Sequence, residues 1–302
     1  MRLLRLIADL PDVGPDPVLV VALDGWTDAG SAGTTAAELL IDQFDVTELG
    51  AFDPDALFDY RDRRPVVEID GGLLGAPRWP ELHVDVVRPP AGPTLIVVGG
   101  AEPDLRWRTI ADDLVELAEA LDIRRYVGLG SVPGPIPHTR PVQLISTSSD
   151  PDLLATFGHP HEQVVVPASC QVALEAAFRT AGMTTLGLWA RLPHYVATDY
   201  PMASKALLER FSAYTGTPVD TSGFDEAIED QREQLDEAAS ASEEITEHVR
   251  GLESMYDAVV EAERLERYDE GESRLTELSA EQVPSGEEIA AEVERFLRGR
   301  TD

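Results

Sequence analysis

Five short apolar runs punctuate the first two thirds of the chain: PVLVVAL (17–23), TLIVVGG (94–100), RRYVGLG (124–130), VQLIST (142–147) and TLGLWARL (185–192). Each is continuous rather than alternating, and most are bounded by glycine or proline, as strands buried on both faces of a parallel sheet are. Between the runs, apolar residues recur at spacings of three and four. Over 105–121, Trp107, Ile110, Leu114, Leu117 and Leu121 form one stripe on an otherwise acidic segment, which predicts an amphipathic helix. Weaker stripes follow at 168–180, after Pro167, and at 201–214, from Pro201. Strand alternating with helix in this way predicts a three-layer αβα sandwich. Residues 66–90 depart from the pattern, because two alternating strands there flank a loop rich in glycine and proline; this predicts an antiparallel hairpin or an addition at the sheet edge.

Beyond Val219 the pattern becomes helical and strongly acidic, with 26 acids against 8 bases over residues 220–302. Ile245, Val249, Leu252, Met255, Val259 and Ala262 make one stripe. Pro284 and Ser285, with Glu288 three positions after the serine, mark the start of a last helix that carries Ile289, Val293, Phe296 and Leu297. The stretch 268–286, poor in apolar residues, reads as a link. The expected organisation is a core domain over 1–219 and a helical extension over 220–302, whose stripes must be covered by each other, by the sandwich or by another subunit.

Charge narrows the list of partners. The 302 residues carry 56 acids, 24 bases and a net charge of −32, with Lys205 the only lysine. Such a surface repels polyanions at long range, so neither nucleic acid nor an anionic membrane is an expected partner. No apolar run approaches the ~20 residues of a membrane span, and MRLLRLIADLPD meets acids and proline too soon for a secretory signal. A soluble, cytoplasmic chain is expected. One cysteine, Cys170, leaves no internal disulfide and no multi-cysteine metal site, and no cofactor is expected.

The first apolar run leads into DGWTDAGSAGT (24–34), for which three readings compete. The glycines and a following helix N-terminus resemble an anion cradle, yet Asp24 and Asp28 would repel a phosphate, and neither a P-loop nor G-x-G-x-x-G is present. Asp28 is better placed to cap the helix. Ser31 at the centre of AGSAG suggests a nucleophile elbow, but an elbow serine follows its strand directly, whereas DGWTD intervenes here. The third reading is packing: Gly30, Ala32, Gly33, Ala36 and Ala37 leave a helix face almost without side chains. Trp26, in a tight loop after a strand, points to a pocket or an interface.

Other candidate groups also follow strand ends. Glu102 and Asp104 suit acid/base chemistry or the capping of the next helix. His138 and Arg140, on the proline-stiffened loop GSVPGPIPHTRP, form a cationic pair suited to a carboxylate or phosphate, or to neighbouring acids. His194 and Tyr195 follow the last apolar run. In open α/β sheets the crevice beyond the strands' carboxyl ends is the usual ligand site, and the loops 24–33, 100–104, 131–140 and 193–195 are expected to converge there. The His-x-His pair His159 and His161 has no evident third metal ligand. Cys170 shares a helix face with Leu174 and Ala177, as a structural thiol would.

Four of these stretches, GWTDAGSAG (25–33), GGAEPDLRW (99–107), VPGPIPHTRP (132–141) and LPHYVATDYP (192–201), appear in the order in which signatures occur in the proteasome-assembly-chaperone-2 family, and residues 1–220 resemble its actinobacterial branch. Gly25, Trp26, Asp28, Gly30 and Gly33 match the first motif, Glu102 and Pro103 the second, His138, Thr139, Arg140 and Pro141 the third, and His194 and Tyr195 the fourth. The resemblance implies a sandwich similar to the phosphorylase/hydrolase-like fold, self-association as a trimer, and contact with proteasome α-subunits. Two departures qualify it. The chain ends GRTD, without the hydrophobic–tyrosine–any tail by which some family chaperones engage the proteasome. Cys170 lies in no motif resembling that of pyroglutamyl peptidases.

The expected function is therefore a noncatalytic, self-associating assembly or scaffold protein. The alternative is a hydrolase or phosphorylase of a small molecule, acting at the strand ends through Asp24, Glu102, His138, Arg140 and His194.

Overall fold

The computed structural model describes residues 3–159 and 163–282. Among them, eight strands form one mixed sheet in the order β1 (Leu4–Leu6), β3 (Asp45–Phe52), β6 (Leu82–Arg88), β7 (Leu95–Ala101), β2 (Val18–Asp24), β8 (Arg125–Gly134), β10 (Thr184–Pro193) and β9 (Gln143–Ser148). The centre, β7–β2–β8–β10, is parallel; β1, β3, β6 and β9 pair antiparallel. The strand β2 shows why the fold has three layers. Leu19, Val21 and Leu23 face a core formed with α3 (Trp107–Ala120) and α5 (Cys170–Thr180), and Val18, Val20 and Ala22 face a second core with α1 (Ala32–Gln43) and α6 (Pro201–Thr215). An apolar run without alternation thus serves both faces at once. The short helices α2 (Pro54–Leu57) and α4 (Pro151–Phe157) each begin at an aspartate whose side chain accepts a backbone N–H two residues on.

All five runs are strands, and the stripe over 105–121 is α3, with Ile110, Leu114, Leu117 and Leu121 buried. Within 66–90 the hairpin is β4 (Ile69–Asp70) with β5 (Leu73–Leu74), and β6 lies between β3 and β7, in the interior of the sheet rather than at its edge. His83 and Asp85, which gave β6 its alternating look, stand 3.4 Å apart, so the strand buries its acid beside an imidazole. Burial pushes the Asp85 carboxyl above its usual range.

Contacts divide the chain into two compact units, Met1–Val249 and Arg250–Asp302. The compositional change falls earlier, at Val219. The first acidic helix, α7 (Asp225–Ser240), stays with the first unit through side-chain bonds: Gln43 with the backbone of Asp220, Lys205 with Asp225, and Gln231 with the Asp199 carbonyl. The helix α8 (Glu243–Gln282) carries the stripe from Ile245 and runs unbroken through 268–282, most of the stretch read as a link. The predicted last helix from Pro284, and His161, lie outside the described residues.

Candidate functional site

After β2 the chain makes a single 3-10 turn, Ala29–Ser31, and enters α1. Asp28 accepts hydrogen bonds from the backbone N–H groups of Gly33 (2.7 Å) and Thr34 (3.3 Å) and from the Thr34 hydroxyl. It therefore caps α1, as its position suggests. Burial outweighs these bonds and raises the Asp28 carboxyl above its usual range. A Cβ added at Gly33 would lie 2.5 Å from the Leu129 carbonyl, so the small-residue face does bring α1 against β8. Ser31, in a left-handed conformation (φ 48°), precedes α1 and shares with Asp24, Thr34, Glu38, Glu81 and His83 an open cleft of about 560 Å³. Arg63 binds both the carboxylate and the carbonyl of Asp24.

Glu102 does not cap its own helix. One oxygen accepts the Trp26 N–H (2.7 Å) and the other the N–H of Cys170, the first residue of α5 (2.6 Å). A Cβ at Gly25 would sit 2.2 Å from this carboxylate, which explains the glycine. The Thr27 hydroxyl meets that of Ser169, the N-cap of α5, at 3.1 Å. Glu102 thus ties three loops together at the carboxyl end of the sheet. Their outer residues are apolar and exposed: Trp26 (69 %), Leu105 (52 %) and Val164 to Val166, with Val165 at 91 %. The thiol of Cys170 is buried, and burial, helped by the Glu102 charge, pushes it up to about 12. It is no nucleophile at neutral pH.

The third group lies around His138, which is 2 % exposed. The Tyr195 hydroxyl accepts the His138 backbone N–H (2.9 Å) and lies 2.7 Å from Nδ1, while Nε2 stands 3.2 Å from Asp236 of α7. A carboxylate can only accept, so Nε2 carries a proton toward Asp236. His194 packs edge-on against both Tyr195 and His248 of α8. Arg140 touches the Thr139 carbonyl. Asp236 and His248 escaped the sequence reading because nothing in an acidic helical stripe says which loop it will meet.

The predicted strand-end set is therefore divided by its partners: Asp24 with Arg63, Glu102 with two backbone amides, His138 with Tyr195 and Asp236. No nucleophile–base pair forms among these three groups. Gly30 and Gly33 serve packing, and Trp26 faces outward.

A three-layer sandwich with a mixed central sheet, whose strand-end Glu102 holds loops that carry exposed apolar side chains, is an α/β protein of the sandwich class. The chain is a member of the PAC2 family, whose sequence pattern matches residues 22–239. It is similar to a Mycobacterium tuberculosis protein of unknown function, Rv2714, at 33 % identity and TM-score 0.82, covering 88 % of this chain and 92 % of that one. It is also similar to a PAC2 family protein from Streptomyces avermitilis (32 %, TM-score 0.69, 78 % and 100 %) and to a Mycobacterium tuberculosis proteasome-assembly chaperone homologue, Rv2125 (29 %, TM-score 0.71, 77 % and 99 %). No curated protein matches it. No described helix is long and apolar enough to cross a membrane.

Proposed function

We propose that the chain is a noncatalytic assembly or scaffold protein that associates with copies of itself through the rim formed by Trp26, Leu105 and Val164 to Val166. The observation that carries this reading is the exposure of those side chains on loops fixed from beneath by Glu102. Large apolar groups held in place on a surface mark contact sites. Charge does not bar a second copy as the occupant. A chain of −32 repels itself over most of its surface, but residues 163–169 contain no ionisable group, so two copies can meet there without like charges opposed. The family and the chaperone homologue support protein assembly as the work done, and proteasome α-subunits as a further partner.

Trp26→Arg and Val165→Asp place charge on the rim without touching Glu102. Both variants are expected to keep the native melting temperature and to lose oligomer mass by light scattering; an unchanged mass in both would overturn the assignment of the surface. The phosphorylase alternative is weakened by the cleft, where Asp24, Glu38, Glu81 and Asp199 oppose a phosphate and, among the described residues, Asp24 alone of the four is paired with an arginine.

A further inference from the structure

The hairpin β4–β5 stands apart from the main sheet as a two-stranded sheet of its own, and every residue from Val66 to Trp79 is exposed. Its ladder is short: Val66 and Arg78 exchange both backbone bonds, and the Gly75 N–H donates to the Glu68 carbonyl. Ile69 lies opposite Leu74 and Asp70 opposite Leu73, so strand alternation puts Val67, Ile69 and Leu74 on one face and Glu68, Asp70 and Leu73 on the other. The first face is wholly apolar, with Ile69 65 % and Leu74 73 % exposed. A two-stranded hairpin is at best marginally stable in water until such a face is covered. Its base is fixed, because the Trp79 ring meets Tyr60 edge-on with centroids 4.7 Å apart, and Tyr60 lines an open depression together with Leu105 of the rim. The hairpin is thus an arm whose base adjoins the rim.

Charge complementarity indicates what covers the arm. Residues 61–79 hold four arginines against three acids, a net +1, in a chain whose remaining residues sum to −33. The surface of a second copy, which repels the rest of the chain, therefore attracts this stretch. Around its turn, residues 71–77 contain no ionisable group, and neither do residues 163–169 of the rim, so the two can meet without burying a charge. We propose that the arm of one copy lays Val67, Ile69 and Leu74 on Val164 to Val166 of another. This rests on the reading of the rim as a self-association surface and names what the rim meets. A contact between unlike patches leaves one arm and one rim unused in a pair, so association continues until a ring closes.

Leu74→Asp spoils the arm and Val165→Asp the rim, both at exposed positions, and circular dichroism matching that of the unaltered protein verifies each fold. In sedimentation of the full chain at moderate salt, each variant alone should stay at 32.9 kDa. An equimolar mixture keeps one intact arm for one intact rim and should form a pair of about 66 kDa, twice the 32.9 kDa chain. If Leu74→Asp associates as the unaltered protein does, the arm has no part in the contact, and the rim reading stands without it. A mixture that stays at 32.9 kDa shows that arm and rim do not meet and equally overturns the proposal. An unaltered protein that is itself monomeric removes the rim reading, and this inference with it.

Discussion

Glu102 receives two backbone N–H groups, one from the loop after β2 and one from the first turn of α5. Glu102→Ala removes both bonds, leaving the part-buried Cys170 amide without its acceptor, and is expected to destabilise the protein by about 1–2 kcal/mol, visible as a shifted denaturation midpoint with little change in slope. If Glu102 were a catalytic acid and not a staple, the same substitution would leave the midpoint in place. Glu175 gives a pH test. It is nearly buried, accepts from the Thr147 hydroxyl at 2.8 Å, and burial raises its carboxyl above the usual range. The folded state then binds the proton more tightly than the unfolded state. This stabilisation is complete below the unfolded pKa, about 4.3, and is lost as pH rises through the folded value. Glu175→Gln removes the ionisation while retaining an acceptor, so its stability should exceed that of the wild type at neutral pH, the gap closing in acid. Equal stability of the two proteins at pH 7 would contradict this. Cys170, with its thiol at about 12, should react with a thiol reagent only after unfolding.

At the scale of elements, α1 owes its position to Gly33. Gly33→Ala would press a methyl group onto the Leu129 carbonyl, and about 2 kcal/mol of destabilisation is expected by chemical denaturation. A change below about 0.5 kcal/mol would show that α1 can move away freely. That small-residue face was legible in the sequence, as were the four parallel central strands and α3, because burial on both faces or on one stripe imposes a composition that can be read; the run VQLIST is a strand too, but β9 is an antiparallel edge strand in which only Ser146 is buried, not one covered on both faces. The strand β3 was not legible: Asp45–Glu48 are exposed and only Leu49, Gly50 and Phe52 are buried, so its residues show no period. The interior place of β6 was hidden by His83 and Asp85, whose mutual contact lets polar residues sit where an edge strand was expected. At the candidate site the Asp28 cap could be read from local spacing, since its partners lie five and six residues on. The Glu102–Cys170 and His138–Asp236 pairs span 68 and 98 residues, and no local pattern encodes them.

At the scale of the whole molecule, charge and apolar exposure pull in opposite directions. A net charge of −32 keeps copies apart, and the rim at the strand ends offers a contact free of ionisable groups over 163–169. Association should therefore strengthen as salt screens the repulsion, with a Debye length falling from about 30 Å at 0.01 M to about 10 Å at 0.1 M. The most direct test of the account is sedimentation equilibrium of the unaltered protein across a range of concentrations at moderate salt. Self-association through the rim predicts a mass that is a multiple of the 32.9 kDa chain, about 99 kDa for the trimer that the family resemblance implies. A mass of 32.9 kDa at every concentration would contradict it.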